Sequence, residues 1–440
     1  MKTLVRGSLG LLTISLLGAS VFADDWPQWL GPKRDSVWRE TGILEKFPKD
    51  GPTIKWRVPV SGGYSGPSVA GGRVFVTDYV VEKGKVANPM ARVKLEGKER
   101  VLCFNAADGK PLWKHEYVCP YNLSYPIGPR VTPTVVGGKV YTLGAEGNLL
   151  CLDADKGTVI WSKELKKEYK TETPLWGFSC NPLVDGQKLI CLVGGDGSVA
   201  VAFDKDTGKE LWRSLSNNQP GYGTPAIIAA GGKQQLIVWD PKTINGIDAE
   251  TGKPYWSFEL PSNQGMSIMT PRQSGDYLFA GGMMNKALLL KLSPDKPAAE
   301  EVWRGTASTG VYPVNSTPFI EDGIIYGVDQ QGQFRAVKLE TGERLWETFA
   351  PTTNLPREKS NAGTAFLVKN GDRFFLFSES GDLIVAKLSP KGYEEISRCK
   401  LLAPTNEAFG REVVWSHPAF ADKCVFARND KELVCASLAK

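Results

Sequence analysis

Residues 105–113 read NAADGKPLW, and residues 153–161 read DADKGTVIW. Each puts Asn or Asp four residues before a Gly and a Trp four residues after it. The frame returns from Asp204 through Gly208 to Trp212, and from Asp248 through Gly252 to Trp256. With Lys in the first position it returns from Lys338 through Gly342 to Trp346. Two copies are worn. Trp303 follows a Gly-free stretch, 293–301, and the stretch 388–396 keeps Gly392 but ends on Ile396 where the others carry Trp. From Trp113 to Trp346 the tryptophans stand 48, 51, 44, 47 and 43 residues apart. Asp beside Gly makes a turn, because the carboxylate caps nearby backbone NH groups and Gly takes the positive φ.

A second marker keeps the same period: a Pro, an apolar pair, a turn and another apolar run. Its copies open at Pro67, Pro133, Pro182, Pro225, Pro271, Pro318 and Pro418, with Thr364 standing in for one, which makes eight. Runs such as 74–76 (VFV) and 324–326 (IIY) are β-branched and aromatic and are bounded by turn residues, so they read as strands. Each unit supplies four short antiparallel strands, and a period of roughly 40–50 residues is that of propeller blades. Residues 54–58, IKWRV, look like a Trp-bearing last strand with no blade before it, while 418–438 supply three strands and stop. Pairing the two ends completes the count. The reading is all-β: one eight-bladed β-propeller over residues 51–440, with four-stranded antiparallel blades closed by N- and C-terminal strand pairing.

Composition narrows the functional classes. The 440 residues are 42% hydrophobic and 23% charged, with 47 Gly and 29 Pro, as suits a chain cut by frequent turns. A formal charge of +5, with Lys and Arg scattered among Asp and Glu, leaves no nucleic-acid footprint. The chain holds only two histidines, His115 and His417, which excludes a multi-histidine metal site. Residues 1–23 read as a signal peptide: Lys2 and Arg6, then the apolar run 9–21, then small residues at Val21 and Ala23 before the cut. The expected location is exported, periplasmic or secreted. No Cys precedes Cys103, so no lipidation site is expected at the cut, and no transmembrane segment or fixed oligomer is expected beyond a monomer. Eight Cys over this length are read as buried apolar side chains, with Cys424 and Cys435 the best pair for a bridge.

The repeated Gly-x-x-x-Trp frame resembles the tryptophan-docking motif of the pyrroloquinoline quinone (PQQ)-like propellers, over residues 52–440. That family includes quinoprotein alcohol dehydrogenases and the non-catalytic lipoprotein of the outer-membrane β-barrel assembly machinery. The resemblance implies that Trp56, Trp113, Trp161, Trp212, Trp256, Trp303 and Trp346 are structural, each packing between neighbouring blades. It also implies that residues 24–50, with Trp26, Trp29 and Trp38, form a leader, expected across the ring's outside. The family's enzymes use a vicinal Cys pair and a metal held by carboxylates and amides near a catalytic Asp. No adjacent Cys pair and no matching acidic insertion exist here, so no catalytic residue carries over. No cofactor is therefore expected, PQQ with calcium belonging to the dehydrogenase alternative. No metal site is expected either: the Asp-rich turns at Asp153 and Asp204 lack an EF-hand's further acidic ligands and recur as turn chemistry.

The segments that open the blades are longer and more aromatic than the turns within them. Counting three residues back from each opening Pro or Thr gives Tyr64, Arg130, Ser179, Tyr222, Ile268, Asn315, Asn361 and Trp415. If the register holds, these form one ring at the mouth of the central channel, enriched by Trp176, Arg411 and His417. Aromatic, amide and guanidinium groups together suit a polar planar or sugar-like ligand, or a peptide of a protein partner. The plainer alternative is that they fill the channel mouth. The charged stretch 81–99 reads as a solvated hairpin extension, with a docking arm as its alternative. The leading expectation is a non-catalytic binding or scaffold propeller. A quinoprotein oxidoreductase is the second, and a hydrolase using Glu407 and Glu412 at the channel mouth is the third.

Overall fold

In the computed structural model, which describes residues 25–353 and 358–440, each repeat forms one twisted antiparallel sheet. The signal peptide expected over 1–23 lies outside the described residues. Blade 1 is built from Ser68–Ala70, Arg73–Lys83, Val93–Asn105 and Pro111–Val118. Blades 2 to 7 span 134–164, 183–214, 226–259, 272–304, 319–348 and 365–400. Blade 8 takes Ala419–Ala421, Cys424–Arg428 and Glu432–Ser437 from the C-terminus and Thr53–Pro59 from the N-terminus as its fourth strand. Trp56 sits opposite Cys435 across that seam. The described residues thus form an eight-bladed propeller closed by its two ends.

The first strands of blades 8, 1, 2 and 3 touch in succession, as do those of blades 5 and 6, so these strands form the channel wall. The Trp-bearing fourth strands lie at the rim. Every fourth strand carries one bulged residue just before the Trp position: Lys55, Leu112, Ile160, Leu211, Tyr255, Val302, Leu345 and, in blade 7, Ile396. A bulge adds a residue without a partner and sharpens the twist. It also corrects the sequence reading of blade 7, where Ile396 is the bulged residue and Ser397 holds the Trp place, opposite Val385.

The indoles reach the next blade. Trp56, Trp113, Trp161, Trp303 and Trp346 donate to the carbonyls of Ala106, Ala154, Lys205, Leu339 and Ser389 at 2.8–3.0 Å. At Gly157 a Cβ would come within 2.4 Å of the Trp113 ring, and φ is +68°, so only Gly fits beneath the indole. Trp212 covers Gly252, but its Nε1 has no partner. Trp256 departs from the frame: it donates to Gln235 Oε1 within its own blade. The neighbouring turn is the Gly-free one, where no flat backbone awaits an indole.

The leader departs from its expected place. It does not stay on the outside but crosses the channel at the end opposite the blade openings. Trp26 forms a bridge with Val69, Pro27 O accepts from Val135 N, and Arg34 donates to Val184 O. Arg272 donates to the Arg34 and Asp35 carbonyls, and Trp38 N to Lys369 O. These partners sit on the first strands of blades 1, 2, 3, 5 and 7. Trp26, Leu30 and Trp38 are buried there, because an eight-bladed channel leaves an apolar gap that its short inner strands, of three to six residues, do not fill. Farther on the leader does reach the rim. Phe47 is buried in the cluster joining blades 7, 8 and 1, and its N–H donates to Ser397 Oγ, where blade 7 lacks its Trp.

All eight cysteines are free thiols. Cys424 faces Ser437 and Cys435 faces Phe426, a diagonal arrangement, so the bridge considered for that pair is not formed. The charged hairpin of blade 1 is exposed along 81–88 except at Val86, which is half-buried against the cluster of Tyr79, Leu95 and Tyr121. Its base is not: Val93–Leu95 pairs with Tyr121–Leu123, and Leu95 is buried.

Candidate functional site

Strand direction decides what meets at the mouth. Each first strand starts at the blade-opening face and the second returns to it, so the opening segments and the turns between second and third strands share that face. There they enclose a cup of about 600 Å³. Tyr64, Arg130, Ser179, Tyr222, Ile268, Asn315, Asn361 and Trp415, one from each blade opening, all line it, with Trp176 and His417. Arg411 stands behind the wall.

The floor comes partly from the leader. Trp29 rises from the plug, its Nε1 donating to Thr270 Oγ1 at 3.1 Å, its ring 4.9 Å from that of His417. Phe366 packs on the other side of His417 at 5.1 Å. The imidazole is buried, with Nδ1 2.6 Å from Pro418 O. Burial pushes its pKa down to about 4, so it is neutral near pH 7.

From blade 8 round to the opening of blade 4 the wall is aromatic: Phe409, Trp415, Tyr64, Tyr125, Trp176 and Tyr222. These rings are locked by their surroundings. Trp176 meets Tyr222 edge-to-face at 5.5 Å, and Trp415 lies 6.0 Å from Tyr125. The Arg130 guanidinium lies 5.0 Å over the Tyr64 ring and donates to the carbonyls of Ser124, Tyr125 and Gly128. Burial lowers its pKa, and the three carbonyls hold the charge in place. Behind Trp415 lies buried Glu379, which accepts from Trp415 Nε1 at 3.1 Å and from Arg411 Nε and Nη2 at 2.9 and 3.1 Å. Ser360 Oγ and Thr364 N complete its shell. Arg411 therefore positions the wall without facing the cup.

From the opening of blade 5 to that of blade 7 the wall carries six amides, Asn263, Gln264, Asn315, Gln330, Gln331 and Asn361, set among the apolar Met266, Ile268, Met283 and Val314. Asn315 Nδ2 donates to Thr364 Oγ1 at 3.1 Å, and Gln330 Oε1 accepts from Met284 N. The side-chain amides of Asn263, Gln264, Gln331 and Asn361 make no hydrogen bond to any described residue.

Sequence reasoning put Trp29 in the leader but not at the site, and did not single out Glu379, Gln330, Gln331 or the hairpin's Met90, which also lines the cup. Gln330 and Gln331 were accessible in principle, since they occupy a second-to-third strand turn. Trp29 and Glu379 act through contacts far along the chain, for which the repeat carries no signal.

The donor set limits the chemistry. No carboxylate lines the cup, and the described residues contain no cluster of three His, Cys, Asp or Glu placed for a metal. Glu407 and Glu412 face each other on the exposed side of the hairpin Asn406–Ala408 with Arg411–Val413, whose Ala408 and Val413 pack against Tyr125 and Trp415; neither carboxylate lines the cup, so the hydrolase expectation loses the two residues it named. The turn aspartates are engaged elsewhere: Asp153 Oδ1 accepts from the Asp155 and Lys156 amides, and Asp204 Oδ1 from those of Asp206 and Thr207. PQQ held beside a divalent cation does not fit these residues, because the described lining offers no anionic ligand and the Arg130 guanidinium is already triply bonded.

The family model described as outer membrane protein assembly factor BamB matches residues 97–290 and 242–440. The protein of that description from Shewanella oneidensis is 20% identical over 56% of this chain and 63% of its own length. The chain spans under two thirds of the length of the first curated relatives it matches. Among solved structures, BamB from Moraxella catarrhalis superposes with a TM-score of 0.53 at 17% identity, covering 87% of this chain and 98% of that one. Quinohemoprotein alcohol dehydrogenase from Comamonas testosteroni gives 0.60 at 12% identity, covering 94% and 80%. At these identities the likeness to solved structures is one of fold.

Proposed function

The chain belongs to this assembly-factor family of propellers, and we propose that it is an exported, non-catalytic binding propeller. Its blade-opening face receives a protein partner or a small polar ligand. The observation that carries this reading is the convergence of one residue from each of eight blade openings on a single cup without a carboxylate. Aromatic and amide side chains recognise; without an acid, a base near neutrality or an anionic metal ligand, they have no proton or electron pair to move. The relatives described as assembly factors support a protein-binding role of the same kind. Six of the rim tryptophans, all but Trp256, serve as blade-to-blade docks, which leaves the opening face free to vary.

The alternative, a PQQ-dependent quinoprotein dehydrogenase with a divergent site, has the fold likeness in its favour. Calorimetric titration of the full chain with PQQ and calcium, followed by assays with primary alcohols and aldoses, separates the two. The expected result is no saturable heat and no turnover. Saturation near one site per chain together with substrate oxidation overturns the non-catalytic reading.

A further inference from the structure

The cup is divided by chemistry, and the division points to its occupant. A pyranose ring has two flat faces of C–H groups edged by hydroxyls. Its faces suit aromatic rings, and its hydroxyls suit groups that both donate and accept. A primary amide is such a group, since its oxygen accepts and its NH2 donates; a carboxylate can only accept and an ammonium can only donate. The cup sets rings on one arc and unpartnered amides at Asn263, Gln264, Gln331 and Asn361 on the other.

We infer that the cup binds a short, uncharged oligosaccharide, its sugar faces on the Trp176–Tyr222 side and its hydroxyls against the amide arc. The inference rests on the binding reading above and names its ligand class. Charge favours it: among the described residues no acid lines the wall, and the Arg130 cation there is held by three carbonyls, so that lining offers a charged ligand no free counter-ion. Shape favours it too. A volume of about 600 Å³ is ordinary for a small-molecule site. Trp29 closes the floor, so a chain must end in the cup and cannot thread through it. A peptide docking by strand addition would need a free strand edge, but here the wall is made of opening segments and turns.

The test titrates the full chain with maltotriose, cellotriose, laminaritriose and triacetylchitotriose, read by calorimetry and by tryptophan emission. At least one should bind saturably, near one site per chain, in the micromolar to millimolar range. Gln331→Leu should weaken that binding about tenfold, the loss of one well-made hydrogen bond, with an unchanged melting temperature. Trp176→Ala should weaken it more and remove the emission change. Silence with all four trisaccharides overturns the inference, as does binding that both variants leave intact or saturation by a neutral tripeptide instead. Silence with both sugars and PQQ would sink the sugar assignment and leave the binding reading standing. PQQ-dependent oxidation would sink the reading itself, whatever sugar binds.

Discussion

The two arcs of the cup are built on opposite terms. On the aromatic arc the key groups are held from within, Trp415 by Glu379, Arg130 by three carbonyls and Tyr222 by the Trp176 amide, while the Tyr64 and Tyr125 hydroxyls are sealed from water without a partner. On the amide arc, four side chains have no hydrogen bond to a described residue. A group bonded inside the protein is part of the architecture, and its removal is felt in stability. A group bonded only to water costs the fold little to keep or lose, so its placement is answerable to whatever enters. The contrast separates scaffold from contact surface within one cavity wall.

The strongest attempt to break this contrast is Glu379→Ala. It strips the buried acceptor from Arg411 and Trp415, and denaturant unfolding should show a loss of about 3 kcal/mol, held to the lower end because the guanidinium can turn toward water. A loss within the range of a surface substitution would mean that the aromatic arc is no more tied to the fold than its opposite.

His417 offers a second attempt, at the floor where the arcs meet. Its folded pKa, about 4, lies below the unfolded value near 6.5, so the unfolded chain binds the proton more tightly. The resulting stabilisation is fully present above pH 6.5 and lost as pH falls toward 4, on the order of 3 kcal/mol over that window. Unfolding curves across the window should flatten in His417→Phe. An unaltered slope would show that the imidazole is solvated and the floor open.

The smallest effect sharpens the contrast. Gln331→Leu on the amide arc should change unfolding stability by no more than about 0.5 kcal/mol, since no described partner is lost. A larger loss would place that arc in the architecture as well.

How far the sequence could be read follows from what repeats. The Gly-x-x-x-Trp frame carries register, and register alone locates eight opening residues on one face. Nothing periodic marks Trp29, which reaches Thr270 from 241 positions away, or Glu379, which gathers Arg411, Trp415, Ser360 and Thr364 through the fold. The leader's crossing was missed for the same reason. Its tryptophans advertise burial but not against what, and the apolar gap exists only once eight blades have closed around it. In blade 7 the miss was a single residue: a bulge is invisible to counting, so Ile396 took the place that belongs to Ser397.

The seam of blade 8 also sets an order in time. Every other blade draws its four strands from one stretch of chain and can pair as soon as that stretch exists. Thr53–Pro59 finds its partner only in Glu432–Ser437, and the plug before it needs the walls of blades 1, 2, 3, 5 and 7. Among the described strands Thr53–Pro59 is therefore paired across the greatest separation in sequence, and until Glu432–Ser437 is in place its row of backbone donors and acceptors is open to other chains. Closing the ring thus carries the loop-closure cost of one long-range pairing that none of the other seven blades needs.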